Sequence, residues 1–204
     1  MGMDRRRRWA LAIRLSGTAL ATASAAEAQV HWDVAAQAGA TDRIATGAAP
    51  GREPGPSGEI HAHIAVYPMF RVGPYAAFDL SPVAGLPDRQ IYAGGLRVKV
   101  TPPWLAAPWR AWGFLGIGLA YAYSPSSPSS RSESVTMPEV PIGAGLGHRL
   151  HGPWDLYAEL GARWNLAGLG GSGSAPAATS SAPTAFVGND LLAVSLCVGV
   201  SLAL

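Results

Sequence analysis

The C-terminal sixteen residues, Asn189–Leu204, alternate with a period of two. Leu192, Val194, Leu196, Val198, Val200, Leu202 and Leu204 share one face, and Ala193, Ser195, Cys197, Gly199, Ser201 and Ala203 share the other. That period specifies a β-strand, because successive side chains leave a pleated backbone on opposite sides. In a soluble sheet with one wet face, the second face would carry charge; here it carries small residues. A strand aliphatic on one face and small on the other suits a wall between hydrocarbon and a crowded interior.

Seven earlier segments repeat the pattern. In Val30–Gly39, Trp32, Val34, Ala36 and Ala38 oppose His31, Asp33, Gln37 and Gly39. In Glu59–Tyr67, Ile60, Ala62, Ile64 and Val66 oppose Glu59, His61, His63 and Tyr67. In Arg71–Leu80, Val72, Ala76, Phe78 and Leu80 oppose Arg71, Gly73, Tyr75 and Asp79. Gln90–Val100 sets Tyr92, Leu96, Val98 and Val100 against Arg97 and Lys99. Ala111–Tyr123 sets Leu115, Ile117, Leu119, Tyr121 and Tyr123 against Gly116, Gly118, Ala120 and Ala122. Glu139–Arg149 sets Val140, Ile142, Ala144 and Leu146 against Glu139, Gly143, Gly145, Gly147 and Arg149. Asp155–Asn165 sets Leu156, Leu160 and Trp164 against Asp155, Tyr157, Glu159, Gly161 and Arg163.

The connections alternate in length. Residues 41–58, 124–138 and 167–189 form long links rich in Gly, Pro and Ser, and 81–89 is grouped with them; 68–70 and 150–154 are short, and 101–110, of similar length to 81–89, is grouped with these. Outer-membrane barrels join their strands by short periplasmic turns and longer extracellular loops. The pattern predicts an all-β chain folded as an eight-stranded antiparallel up-and-down transmembrane β-barrel. Both termini then lie on the short-turn side. After the N-terminal region, no segment reaches the ~18 uninterrupted apolar residues that mark a helical span.

The start of the chain narrows the location. Arg5–Arg8 form a basic region, Trp9–Ala23 is mainly apolar, and Ala26-Glu27-Ala28 fits an A-x-A cleavage pattern. Residues 1–28 therefore read as a cleaved secretory signal and 29–204 as the barrel, which places the protein in the bacterial outer membrane. The formal charge of +2 belongs to the signal. Residues 29–204 keep ten Lys and Arg against eleven Asp and Glu. No basic patch suggests nucleic acid. The lone Cys197 allows no intramolecular disulfide or C-x-x-C site.

Every clearly charged position in these segments falls on the predicted inner face: Asp33, Glu59, Asp79, Glu139, Asp155 and Glu159 against Arg71, Arg97, Lys99, Arg149 and Arg163. Charge on the lipid side costs about 2–4 kcal/mol for Arg or Lys near the midplane, and charge inside a narrow lumen must be paired. The candidate site is thus an internal polar network of these residues with His61 and His63, to which Tyr67, Tyr75 and Tyr157 add hydroxyls. Eight strands leave room only for side chains, although the inward glycines of the fifth and sixth segments leave scope for a small water-filled cavity. Trp104, Trp109, Trp112 and Trp154 fall at the short turns and Tyr92, Tyr121, Tyr123 and Trp164 toward the other rim, the placement of interfacial girdles.

The His61-x-His63 pair beside Glu59 has the composition of a metal site, but in a polar lumen it reads as part of the hydrogen-bond network. His148 and His151 read as interfacial or turn residues. No Ser/His/acid constellation stands out. Gly94-Gly95 and Gly168–Gly173 lack the strand–loop–helix setting and the Lys-Ser/Thr of a P-loop. The expectation is a protein with no metal, no cofactor and no catalytic site.

Taken together, the signal, the eight segments, the alternating links and the apolar final strand resemble the small eight-stranded outer-membrane β-barrel proteins of the OmpA/OmpX/OmpW-like group. The resemblance is one of pattern. It departs from the group at the C-terminus, where Leu204 stands in place of the usual aromatic residue. It implies a structural or surface-interaction role, with outer-membrane lipid and lipopolysaccharide around the wall and an extracellular partner at loops 41–58, 124–138 and 167–189. The alternatives are a narrow channel or binding barrel for a small solute, and a lipid-modifying outer-membrane enzyme.

Overall fold

In the computed structural model, which describes residues 31–45, 54–83, 86–103, 107–125, 133–166 and 190–204, the alternating segments form one closed sheet. The strands are β1 (Trp32–Ala45), β2 (Gly55–Tyr67), β3 (Phe70–Val83), β4 (Leu86–Val100), β5 (Trp109–Ser124), β6 (Glu133–Arg149), β7 (Trp154–Asn165) and β8 (Asp190–Ala203). Each pairs antiparallel with its sequence neighbours, and β1 closes the cylinder against β8, from Asp33 opposite Ala203 to Ala45 opposite Asp190. The seam extends to Leu204, which exchanges two backbone hydrogen bonds with Trp32 at 2.8 and 3.1 Å. Closure satisfies the edge groups that an open sheet would expose to lipid. Residues 1–28, expected to be a cleaved signal, lie outside the described residues.

The molecule is apolar outside and polar within. Among the described residues, Leu96, Leu115, Ile117, Leu119, Leu160, Leu196 and Val198 are more than half exposed, while Asp33, Asp79, Arg97, Glu139 and Glu159 are at most 3% exposed. Soluble monomers rarely expose contiguous apolar patches beyond a few hundred Å², so this belt is a surface for hydrocarbon. Exposed Trp32, Tyr67, Phe70, Trp109 and Trp154 edge it at the short-turn end, and Tyr92, Tyr121 and Trp164 mark the other rim. Past that rim, outward positions turn polar at Asp42, Ser134 and Thr136.

The strands run 12–17 residues, longer than the ~9–11 that cross a bilayer. The excess lies at the long-link end. Thr41–Ala45 and Gly55–Gly58 belong to β1 and β2, Ser81–Val83 and Leu86–Arg89 to β3 and β4, and Glu133–Pro138 to β6, so three of the four expected long links begin or end as strand, and the 81–89 link is almost wholly paired. Ladder hydrogen bonds hold these stretches extended after the aliphatic alternation has stopped. Residues 46–53, 126–132 and 167–189 lie outside the described residues, as does Trp104.

Two aromatics differ from the sequence reading. Tyr67 is 57% exposed and packs beside Phe70, with ring centroids 6.4 Å apart, because the β2–β3 register shifts between Ala65 and Tyr67 and breaks the parity. Trp112 is buried in the lumen and not at an interface, because β5 begins at Trp109 and position 112 takes the inward parity. Trp112 pairs across strands with Gly145, and Phe114 with Gly143. The inward glycines therefore leave no cavity of their own: a Cβ on Gly145 would overlap the Trp112 indole, and one on Gly143 the Phe114 ring.

Gly145→Val should force the Trp112 ring out of place and destabilise the barrel by about 1–3 kcal/mol, the usual cost of overpacking. Gly113→Ala is the control, since an added Cβ there meets nothing nearer than 3.7 Å. Urea unfolding in lipid vesicles, followed by tryptophan fluorescence, measures both; equal stability of the two variants would contradict the packing.

Candidate functional site: the polar lumen

Inward parity on seven of the eight strands directs charged side chains to the barrel axis, where they meet in three levels. The middle level centres on Arg97 of β4, which is 1% exposed. Its Nη1 donates to Glu59 of β2 at 2.7 Å and to Glu159 of β7 at 3.3 Å. Its Nε donates to His63 Nε2 at 3.1 Å, and its Nη2 lies 2.7 Å from His61 Nδ1. The guanidinium carbon also sits 4.5 Å from the Phe114 ring centroid on β5. One cation thus joins β2, β4, β5 and β7. Glu159 also accepts from Gln37 at 3.0 Å and from the Trp112 indole at 3.1 Å, which draws β1 into the same cluster.

These contacts determine the histidine tautomers. A guanidinium has no acceptor, so His63 Nε2 accepts from Arg97 while its Nδ1 carries the proton and donates to Asp33 at 2.9 Å. His61 Nδ1 accepts from Arg97, which leaves its proton on Nε2, and the 3.2 Å approach of that Nδ1 to Glu59 is a contact between two acceptors. The two imidazoles lie 4.8 Å apart, centroid to centroid. Both use their lone pairs on Arg97.

At the long-link level, Asp79 of β3 accepts from Arg43 at 2.7 Å, from Arg163, and from Thr41 at 3.3 Å, while Tyr75 donates to Glu139 at 2.6 Å. At the short-turn level, Asp33 accepts from Arg71 at 2.6 Å and Lys99 at 3.5 Å. Asp155 lies 3.4 Å from both Arg110 and Arg149. Tyr157 is buried and packs edge-on against Trp112 at 5.4 Å, but its hydroxyl bonds to no described side chain. Arg149 stands at the mouth with its side chain 40% exposed.

Arg43, Arg110, Gln37, Thr41 and Trp112 join the network without having been among the candidates. The signal was parity: Thr41 and Arg43 continue the inward series of Asp33 and Gln37, and Arg110 continues that of Trp112 and Phe114. Chemically, the arrangement binds strands together and fills the lumen. A recess of about 30 Å³ lies near the axis and opens at the short-turn end.

No family model matches the chain, and no curated protein matches it. Similarity appears at the level of solved structures. The crystal structure of Neisserial surface protein A (NspA) aligns with a TM-score of 0.62 at 15% identity, over 84% of this chain and 96% of that one. A major outer membrane protein from Thermus thermophilus aligns at 0.62 and 13% identity, over 86% and 100%. Ail, the attachment invasion locus protein of Yersinia pestis, aligns at 0.53 and 13%, over 86% and 99%. The chain has the closed eight-stranded fold of these small outer-membrane β-barrels.

Arg97→Met should leave Glu59 and Glu159 buried with their main counter-charge gone, a loss of about 3–5 kcal/mol. Urea titration of the folded barrel in lipid vesicles gives the difference, and a loss below about 1 kcal/mol would remove Arg97 from the centre of the network.

Proposed function

We propose that this protein serves as a structural or surface-interacting barrel of the bacterial outer membrane, with a lumen closed to solute flow. The observation that carries the reading is the occlusion of the middle level, where Arg97, Glu59, Glu159, His61, His63 and Phe114 occupy the axis at contact distances. Lipid, and lipopolysaccharide in the outer leaflet, cover the aliphatic belt. Interaction with other molecules falls to the long-link end, where residues 46–53, 126–132 and 167–189 join strands that already project past the belt. Ail has been crystallised in complex with the heparin analogue sucrose octasulfate, which supports a binding role for a small barrel of this fold.

The expected outcome is a protein recovered in the outer-membrane fraction, shifting in gel mobility on boiling, that gives no stepwise current in planar bilayers. Recovery in a soluble fraction would remove the membrane reading. Reproducible conductance steps would replace the structural role with a solute pathway.

A further inference from the structure

The short-turn mouth holds more cation than its carboxylates neutralise. Among the described residues, Arg71, Lys99, Arg110 and Arg149 converge there on Asp33 and Asp155, four basic groups against two acidic ones. Asp33 is already held by Arg71 at 2.6 Å and His63 at 2.9 Å, and its hydrogen bond from Lys99 is stretched to 3.5 Å. The Lys99 ammonium lies 4.3 Å over the Trp112 ring, and the residue is 7% exposed. Asp155 meets both its arginines at 3.4 Å, and the buried Arg149 Nε makes no hydrogen bond among the described residues. Charge-assisted N–H···O contacts settle near 2.7–2.9 Å when the acceptor is free to approach. Among the described residues, Lys99, Arg110 and Arg149 have no carboxylate at that distance, whereas Arg71 has Asp33. Between them opens a recess of about 30 Å³, bordered by Asp33, Arg71, Lys99, Arg110 and Asp155.

We propose that this recess is a binding site for a phosphate-type oxyanion, seated between Lys99 and the Arg71 and Arg110 guanidiniums. The leading oxygens enter the recess and the remainder stays in the open mouth. Such an anion supplies the missing acceptors and offsets the two uncompensated positive charges. Its approach is disfavoured by Asp33 and Asp155, which face the same space, so affinity depends on the donors outnumbering them. The phosphate group can belong to free phosphate or to the phosphodiester of a lipid headgroup at the same membrane face.

The test uses the folded barrel in dodecyl maltoside micelles, which carry no phosphate group, titrated with inorganic phosphate in low-chloride buffer by isothermal calorimetry. Saturable one-to-one binding is expected. Lys99→Met and Arg110→Gln should each weaken it about tenfold, the worth of one charge-assisted hydrogen bond. The mouth-exposed Arg149→Gln gives a variant with little risk to folding, and heat-modifiable gel mobility verifies each barrel. Asp42→Asn, at an exposed position past the opposite rim and outside the network, should leave binding unchanged. Repeating the titration with phosphatidylglycerol added to the micelles separates the sources: phosphate binding that survives assigns the site to the free anion, and binding lost by competition assigns it to the headgroup. Absence of saturable binding in micelles with and without phosphatidylglycerol, or equal weakening by Asp42→Asn, overturns the proposal. Because the measurement is made on the isolated barrel, its failure leaves the conductance and fractionation results standing.

Discussion

An eight-stranded cylinder encloses a space that side chains alone can fill, and any charge turned into it must find its counter-charge within a few ångströms. Lipid on the outside removes the alternative, because an inward charge cannot turn out at low cost. The lumen meets that constraint by sharing. Arg97 serves two carboxylates and two imidazoles, and Asp79 serves two arginines and a threonine. Shared partners come from strands far apart in sequence, so the network closes only when the whole barrel has closed.

Buried ion pairs contribute little net stability relative to apolar packing of equal volume. Their leverage here is on register. Sliding one strand by a residue exchanges its two faces. For β4 that would carry Arg97 and Lys99 into hydrocarbon and bring Leu96 and Val98 against carboxylates. The belt and the network penalise the same error from opposite sides of the wall. The cross-strand fit of Trp112 over Gly145 and Phe114 over Gly143 adds a steric check, since neither ring has room opposite a larger residue.

This double constraint explains what the sequence revealed. Parity survives wherever one face meets lipid, and from it the strand number, the antiparallel order and the inward set from Asp33 to Arg163 could be read. Past the lipid belt the outward face loses its aliphatic residues, and the sequence no longer marks Thr41–Ala45, Gly55–Gly58 and Glu133–Pro138 as strand, although the inward series continues through Thr41 and Arg43 to Asp79. Parity failed at Tyr67, where a register shift near the turn reverses the direction of the ring. Trp112 followed parity, but tryptophan's preference for interfaces outweighed that signal in the reading. Which acid meets which base was not legible, because Asp79 and its arginines on β1 and β7 are brought together by the circumference and not by spacing along the chain.

The tightness of pairing changes along the axis. From the middle level to the long-link end, most contacts with carboxylates run at 2.6–3.3 Å and the polar groups lock one another. At Asp155 they loosen to 3.4 Å. A core so filled transmits little and admits little, so chemistry with outside molecules is confined to the two rims. The rims differ in origin. At the long-link end, contact surfaces come from chain added beyond the strands and can vary without disturbing the pairing. At the short-turn end, turns are brief and the available groups are the last members of the lumen network itself. Substitution there is felt by Asp33 and through His63 by Arg97, which ties the chemistry of that mouth to the stability of the barrel.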